Sequence, residues 1–299
     1  MKEQAKATAP ARKIGNRYLK QTDPLKWKYP SDLWDFESQT AYERIVDWLT
    51  NFRINLDTIG FQNSVSDLPQ IEGSALVIDK SMASTKYFEQ LPELKNYHGT
   101  IICADRALPS LIQYGIIPKL VCQLDSSYLC QYFFDVPSVK SHMHEITGVF
   151  AVTTHPLTIR LFHGKRAFFV PYIGSMGITK ALMEKSGLPM MTTGGQVASF
   201  AHILAYNLGA KNIGIFGVTH SYDNLVESEY PEVRHKRVSN KYGVFWQDPV
   251  YEWYNNIYLS LIEAAAKKGV TTFNTMKGGL LYSKYVKDVS LKEFIEQHG

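Results

Sequence analysis

The chain has 299 residues, of which 45% are apolar, 20% are charged and 13% are aromatic. This length and composition suit one large α/β domain or two small ones, with a full hydrophobic core. They exclude an intrinsically disordered protein, a small disulfide-stabilised protein and a collagen-like repeat. No apolar run approaches the roughly 20 residues that a membrane-spanning helix needs, so no membrane span is predicted.

The cysteines indicate a reducing environment. Cys103, Cys122 and Cys130 cannot all pair, and none belongs to a Cys-x-x-Cys motif. Cys103 and Cys122 lie within apolar runs, so we expect reduced, buried thiols, which are typical of a cytoplasmic protein. The first residues also lack the apolar segment of a secretory signal, and we therefore expect a cytoplasmic location.

The positive charge is concentrated at the start of the chain. The formal net charge is +4, but residues 1–28 carry eight Lys and Arg against two acidic residues. Such a segment could contact RNA or an anionic surface, or form a solvated tail. The near-neutral remainder argues against a dedicated nucleic-acid-binding domain. We divide the chain into a basic flexible tail (1–24), an N-terminal helical segment (25–70) and a Rossmann-like domain (71–299).

The pattern between Trp27 and Phe61 is helical, with an apolar stripe at helical spacing formed by Ala41, Ile45, Trp48, Leu49 and Phe52. Ser38 or Thr40 is the predicted cap at its start. Residues 62–73 are rich in turn residues and predict a linker.

From residue 74 onward, short apolar runs alternate with helical patterns. The predicted strands are 75–79, 100–105, 119–125, 149–154, 166–171, 212–218 and 270–273, and the predicted helices are 108–115, 195–208 and 248–268. Asp248 is the predicted N-cap of the last helix. This alternation indicates an α/β, Rossmann-like fold, a mostly parallel sheet with helices on both faces. Residues 221–243 are charged, lack a predicted strand, and are typical of an active-site lid or a disordered loop.

Polar side chains follow the predicted strands repeatedly: Asp79 and Lys80, Asp105 and Arg106, Asp125 to Ser127, Thr154 and His155, and Thr219, His220 and Asp223. Ligands of open parallel sheets bind beyond the carboxyl ends of the strands, so the pattern indicates a shared crevice, although such residues are also common helix caps. Asp105 and Asp125 could jointly hold one Mg²⁺ ion. His220 could act as a general base, oriented by Asp223; the alternative is a loop histidine without a role.

Residues 192–199 (TTGGQVAS) are the best candidate for a phosphate site. Gly194 and Gly195 stand immediately before a predicted helix. Glycines there let backbone N–H groups approach an anion, and the helix dipole favours negative charge. Neither a Walker A loop nor a GxGxxG motif is present. Close packing of the helix is an equally good explanation of the two glycines.

Three groups of segments together resemble a known family. They are Ile102 to Ala107 with Tyr114 to Pro118 and Leu124–Asp125, then Gly194 to Ala198 with Leu208 to Ala210, and then Asn274–Thr275 with Gly278–Gly279. The chain resembles the family that joins archaeal 6-hydroxymethyl-7,8-dihydropterin diphosphokinases to bacterial motility accessory factors, over roughly residues 72–285. The resemblance implies a Rossmann-like fold related to that of some sialyltransferases.

The resemblance also implies chemistry. Diphosphokinase members transfer pyrophosphate from ATP to a pterin hydroxymethyl group with Mg²⁺, and motility members are implicated in glycosylating flagellin with nonulosonic acids. By position, Asp105 and Asp125 match the two aspartates of the family, and Gly194, Gly195 and Val197 match its phosphate-side turn. We expect Ser81, Ser84, Arg106 and Gln196 to complete the cofactor-binding set. The glycine-rich loop of the family is replaced here by residues 78–84, which contain no glycine or proline.

Three functions remain open. The first is a Mg²⁺-dependent diphosphokinase-like enzyme that uses ATP, with positioning and charge neutralisation as the main contributions to catalysis. The second is a glycosyltransferase that uses a nucleotide-activated sugar, with His220 as base or leaving-group acid. The third is a non-catalytic member that binds a ligand or a partner protein through the same crevice. The expected partners are a nucleotide and a small-molecule substrate, and a homodimer stays open.

Overall fold

The computed structural model describes residues 33–225 and 234–299. The predicted basic tail and residues 25–32 lie outside the described residues, as does the middle of the predicted lid. Helix α1 runs from Leu33 to Thr58, so it begins before the predicted caps, Ser38 and Thr40. Both residues lie inside the helix, because an established helix gains one hydrogen bond per added residue and continues through isolated polar positions.

Eleven strands occur in the described residues: β1 (Ser74–Ile78), β2 (Thr100–Ala104), β3 (Leu120–Gln123), β4 (Thr147–Ala151), β5 (Lys165–Pro171), β6 (Met190–Met191), β7 (Asn212–Phe216), β8 (Lys236–Asn240), β9 (Gly243–Gln247), β10 (Thr271–Asn274) and β11 (Val286–Asp288). Nine of them form one sheet in the order β11-β10-β7-β1-β2-β3-β4-β5-β6. Every pairing in this sheet is parallel. The predicted α/β fold is therefore confirmed.

The remaining α-helices are α2 (Leu108–Gln113), α3 (Gln131–Phe134), α4 (Pro137–His142), α5 (Pro156–Leu161), α6 (Met176–Ser186), α7 (Val197–Asn207), α8 (Pro249–Ala266) and α9 (Leu291–His298). A longer segment in 3-10 conformation, Met82–Asn96, follows β1. Asp248 caps α8 as predicted, because its side chain accepts a hydrogen bond from the Tyr251 amide. No helix of the described residues is long and apolar enough to cross a membrane.

The chain changes direction once across the sheet. Strands β1 to β6 are laid side by side in chain order, and the chain then crosses back so that β7 pairs with the other edge of β1. The carboxyl ends of β1 and β7 therefore form the topological switch point, where ligands of open α/β sheets bind. The residues that follow β1, β2, β3 and β7 all lie at this edge.

Both faces of the sheet are buried. Alternate side chains of each strand point to opposite faces, so Leu76 and Ile78 belong to one apolar cluster and Ala75 and Val77 to another. Helix α7 covers the second face, where its Phe200 ring stacks on Phe169 of β5 with ring centroids 4.2 Å apart. Helix α1 packs on the first face through apolar residues that include Phe52. Because both faces are packed, the sheet fixes the positions of the residues at the ends of its strands.

Two expectations for the second half of the chain are wrong. Residues 221–243 were expected to lack strands, yet β8 pairs with β9 in an antiparallel hairpin. Every residue of β8 is exposed or half-buried, so it carries no apolar run that could indicate a strand. The strand predicted at 270–273 is also not the last, because β11 follows and extends the sheet.

Candidate functional site

Three aspartates follow three adjacent strands at the carboxyl edge of the sheet. Asp79 follows β1, Asp105 follows β2 and Asp125 comes two residues after β3. The register pairs Ala104 with Cys122, which brings Asp105 alongside Gln123. The structure therefore brings the two predicted metal ligands, Asp105 and Asp125, to neighbouring strand ends.

Asp105 has a strongly perturbed carboxyl group. Its side chain is buried, and burial together with the negative charges of Asp125 and Asp79 raises its pKa to about 7. The Arg106 amide donates a 2.8 Å hydrogen bond to Asp105 Oδ1 and opposes that rise. The carboxyl group therefore changes charge near neutral pH. A cation at this edge would stabilise its ionised form.

Asp125 is held by a local turn. Its Oδ1 accepts a 2.8 Å hydrogen bond from the Ser127 amide, and its own amide donates to Gln123 Oε1 at 2.5 Å. The short 3-10 helix that follows is capped by Ser127, whose hydroxyl accepts from the Leu129 amide. Asp125 is therefore not the N-cap of that helix. The hydrogen bonds fix the position of its half-buried carboxylate.

Two cations lie beside the aspartates. Burial, followed by the charge of Arg106, lowers the pKa of Lys80, which indicates that the two cations are close to one another. Lys80 Nζ donates a 2.7 Å hydrogen bond to Ser110 Oγ. The edge thus combines neighbouring acids with neighbouring bases, a combination that suits a metal ion together with a phosphate.

The loops after β1 and β7 are joined at the switch point. The amide and the hydroxyl of Ser81 both donate to the Gly217 carbonyl, at 3.1 and 2.9 Å, and the Ser84 hydroxyl donates to the Ser81 carbonyl. Both serines are buried. A Cβ atom at Gly217 would lie 1.8 Å from the Asp79 carbonyl oxygen. These two serines, which we expected to bind the cofactor, therefore have hydroxyls engaged in holding the loop.

His220 connects three elements in the loop after β7. Its Nδ1 lies 3.0 Å from Asn255 Oδ1 of α8, and its Nε2 lies within hydrogen-bond distance of the Gln196 amide group before α7. The ring is buried, and burial lowers its pKa to about 4. With Nδ1 donating to Asn255 Oδ1, Nε2 accepts from Gln196. The neutral imidazole, with a hydrogen bond at each ring nitrogen, therefore links the Gln196 turn to α8.

Asp223 does not orient His220 in the structure. It forms an ion pair with Lys86 instead, and Asn255 is the partner of His220 at Nδ1. His220 also has a positive φ of 48°, which is uncommon for a residue with a side chain. Its contacts with Asn255 and Gln196 hold it in that conformation.

The two glycines before α7 are required by packing. Gly194 and Gly195 have φ angles of +66° and +77°. A Cβ atom at Gly195 would lie 2.3 Å from the Trp253 ring, and one at Gly194 would lie 2.7 Å from a Leu261 methyl group, both on α8. The chain continues into α7 at Val197, and Gln196 makes no side-chain capping bond. The turn lies at the carboxyl edge, close to His220, and α8 covers it from one side.

Sequence reasoning missed two residues that organise this edge. Gln123 lies at the end of β3 and is fully buried; a polar residue inside an apolar strand was a usable signal. Asn255 is one of several polar residues on α8, and its role depends on tertiary contacts that no local pattern reveals. No group of three or more His, Cys, Asp or Glu residues able to hold a metal occurs in the described ranges.

Comparisons with known proteins give a family match and a similar fold. The model of a family described as 6-hydroxymethylpterin diphosphokinase MptE-like matches residues 88–225. A solved structure described as a MAf glycosyltransferase from Magnetospirillum magneticum AMB-1 is similar in fold, with a TM-score of 0.63 and 15% sequence identity. The similarity covers 84% of this chain and 38% of that chain, so this chain spans well under half of the neighbour. No curated protein matches. The resemblance to the MptE-like family is therefore confirmed over residues 88–225, the part of the chain that contains Asp105, Asp125 and the turn at Gly194 and Gly195.

Proposed function

We propose that the chain is a transferase that binds a nucleotide donor at the carboxyl edge of its sheet, with Mg²⁺ held by Asp105 and Asp125. One observation carries the proposal: two carboxylates follow neighbouring strands, and burial, together with the charge of Asp125, raises the pKa of Asp105. Natural proteins place like charges together mainly where a cation or a proton compensates for them. The match to the MptE-like family over the same residues supports a transferase role.

The donor atoms fit the proposed ion. Mg²⁺ prefers oxygen ligands and is usually bound by one or two carboxylates, with waters and substrate phosphates completing its coordination. Asp105 and Asp125 supply two such carboxylates, so a third acidic or histidine ligand is not required. When bound, the ion would neutralise phosphate charge and stabilise the leaving group. Binding would also favour the ionised form of Asp105.

Other residues of the chain would bind and orient the donor. Lys80 and Arg106 supply positive charge next to the aspartates, which suits the phosphates of a nucleotide. The hydrogen bonds between Ser81 and Gly217 keep the β1 and β7 loops fixed, so that the crevice does not have to reorganise when the donor binds. We assign the turn at 194–197 to the same crevice, because Gln196 lies within hydrogen-bond distance of His220 in the loop after β7.

We infer that the transferred group is pyrophosphate from ATP, delivered to a small hydroxylated acceptor. The two aspartates favour this reaction, because the transfer of phosphoryl groups depends mainly on positioning and charge neutralisation. A second candidate is glycosyl transfer from a nucleotide-activated sugar, which the similarity in fold to a MAf glycosyltransferase supports. Both reactions release a proton from the attacking hydroxyl of the acceptor, so each needs a proton acceptor. His220 is a weak candidate, because its pKa is about 4 and both ring nitrogens are engaged.

Calorimetric titration of the full chain tests the proposal. ATP, CMP and a CMP-activated sugar are titrated with and without Mg²⁺, and product analysis follows with a mixture of hydroxylated acceptors. Pyrophosphate transfer from ATP releases AMP. Glycosyl transfer from the CMP-activated sugar releases CMP and produces no AMP. Binding that requires Mg²⁺ supports the metal role. Nucleotide binding with equal affinity in a chelator overturns it, and binding without any product identifies a non-catalytic protein.

A further inference from the structure

Two asparagines of α1 extend their side chains to the loops that follow β3 and β4. Asn51 Nδ2 donates to the carbonyls of Ser126 and Thr153, each at 3.1 Å. Asn55 Nδ2 donates to the carbonyls of Val152 and Thr154, at 3.0 and 2.8 Å. Both asparagines are buried, and Asn55 is fully so. Four backbone carbonyls at the carboxyl edge therefore depend on two amide groups of one helix.

The spacing of the two asparagines makes them a unit. Residues four apart lie on the same face of an α-helix, so both amides point toward the same pair of loops. The strands end at Gln123 and Ala151, and the carbonyls that follow have left the hydrogen-bond ladder of the sheet. Buried carbonyls need partners. Helix α1 supplies them from outside the sheet.

Attachment of the helix alone does not explain these residues. Phe52 and other apolar side chains already pack α1 against the core. Asn55 Oδ1 is buried and has no hydrogen-bond partner among the described residues, which is a cost that a site used only for packing would avoid. The amide is used for its two donor hydrogens, and both are directed at the loop carbonyls.

One of the bonded carbonyls belongs to Ser126, the neighbour of Asp125. The position of the Asp125 carboxylate therefore depends on a loop with two hydrogen bonds to other side chains. The Asp125 amide donates to Gln123 Oε1, and the Ser126 carbonyl accepts from Asn51 Nδ2. Loss of a residue that holds a metal ligand in place typically lowers metal affinity or activity about 10- to 100-fold.

We propose that Asn51 and Asn55 are positioning residues that set the geometry of the Asp125 loop and of the loop after β4, so that α1 is an integral wall of the site. The part that concerns Mg²⁺ rests on the proposed function. The positioning of the loops does not, since it follows from the four hydrogen bonds alone.

Hydrogen exchange of the full chain tests the positioning. The variants are Asn51→Leu and Asn55→Leu, which keep the branching of the side chain, increase its volume and remove the donors. Asn63→Leu is the control, because Asn63 Nδ2 also donates to a backbone carbonyl, that of Arg166, but the residue is exposed and lies at the opposite edge of the sheet. Asn51→Ser replaces Asn51→Leu if the latter does not fold.

We expect the amides of residues 124–130 and 152–158 to exchange about tenfold faster in the Asn51 and Asn55 variants. Residues 74–81 and 212–219, at the ends of β1 and β7, should change by less than about twofold. The control should leave both loops unchanged. The proposal is overturned if the two loops exchange at the same rate as in the unmodified chain, or if exchange becomes faster throughout the chain.

Calorimetry of the same proteins adds the second readout. Mg²⁺-dependent ATP affinity should fall about tenfold or more in Asn51→Leu, while ATP binding in chelator stays as in the unmodified chain. If the loops exchange faster but the Mg²⁺-dependent affinity is unchanged, the asparagines have a structural role only. That result overturns the proposal that they position the Mg²⁺ site. If the unmodified chain shows no Mg²⁺ dependence, the proposed function fails, and the exchange data still decide whether α1 positions the loops.

Discussion

Trp253 of α8 occupies the space in which a side chain at Gly195 would lie, since a Cβ atom there would be 2.3 Å from the indole ring. The glycine pair before α7 thus has a structural explanation that does not involve a ligand. The backbone amides of the turn stay at the carboxyl edge, so a phosphate role is compatible with the packing role. A substitution tests the packing role.

Gly195→Ala should destabilise the fold by roughly 2–4 kcal/mol, because it combines a left-handed backbone with an overpacked contact. Gly187→Ala is the control: Gly187 has a φ of +71° and no atom within 4 Å of the added Cβ, so only the backbone cost of about 1 kcal/mol applies. Urea unfolding measures both. Equal losses in the two variants would contradict the packing explanation.

Asp125→Asn should lower Mg²⁺-dependent nucleotide affinity about tenfold or more, because charge-assisted interactions contribute roughly 1.5–3 kcal/mol. The melting temperature without ligand should stay similar or rise, since the change relieves repulsion with Asp105. Asp135→Asn provides a comparison, because Asp135 pairs with Lys140 on the surface. Calorimetry in Mg²⁺ and in chelator gives the affinities. An unaltered Mg²⁺ dependence in Asp125→Asn would remove this residue from the metal site.

Asp105 should make stability depend on pH in an unusual direction. Its pKa is about 7 in the folded chain against an ordinary value of 3.8, so between these values the unfolded chain binds fewer protons. Stability from this group therefore falls as the pH rises from about 4 to about 7, by up to roughly 1.4 kcal/mol for each unit of pKa difference.

Asp105→Asn should remove this dependence, so its stability relative to the unmodified chain should be higher at pH 8 than at pH 4.5. Denaturant titrations at both pH values measure the difference, and groups that titrate alike in both proteins cancel. A difference that does not change with pH would mean that Asp105 ionises normally. Addition of Mg²⁺ at pH 8 should reduce the advantage of the variant, because the ion stabilises only the ionised carboxylate.

His220 should stay neutral from pH 8 down to about pH 5, because burial lowers its pKa to about 4. Its ring signals in NMR spectra should therefore not titrate near the ordinary value. Asn255→Asp places a carboxylate at Nδ1 and should raise the pKa of His220 markedly, since a nearby opposite charge favours the protonated ring. Titration of His220 near pH 6.5 in the unmodified chain would restore it as a candidate base.

The sequence predicted the parts of the site that follow from strand order. Asp105 and Asp125 were identifiable because apolar runs locate strands, and parallel strands end at one edge. The β8–β9 hairpin was not, because Lys236–Asn240 contains only one apolar residue, Val238, and so has no periodic signal. The two-residue strand β6 is too short for any pattern.

Contacts between residues that are distant in the sequence were also beyond prediction from the sequence. Asn255 and Gln196 meet at His220 only after α8 has packed on α7, and the loop carbonyls that Asn51 binds lie in another part of the sequence. The predicted partnership of His220 with Asp223 relied on closeness along the chain, whereas Asp223 is directed to Lys86. Spacing in sequence locates candidates for a site, and tertiary packing decides their partners.

The central position of β1 has a consequence for how the chain is made. One edge of β1 pairs with β2, which follows soon after it, but the other edge waits for β7 (Asn212–Phe216). During synthesis, a chain that has reached only β6 presents the apolar strand Ser74–Ile78 with an unpaired edge, and such edges recruit other strands. Ribosome-bound or prematurely ended chains of this length should therefore depend on chaperones, and fragments that stop before residue 212 should aggregate rather than fold.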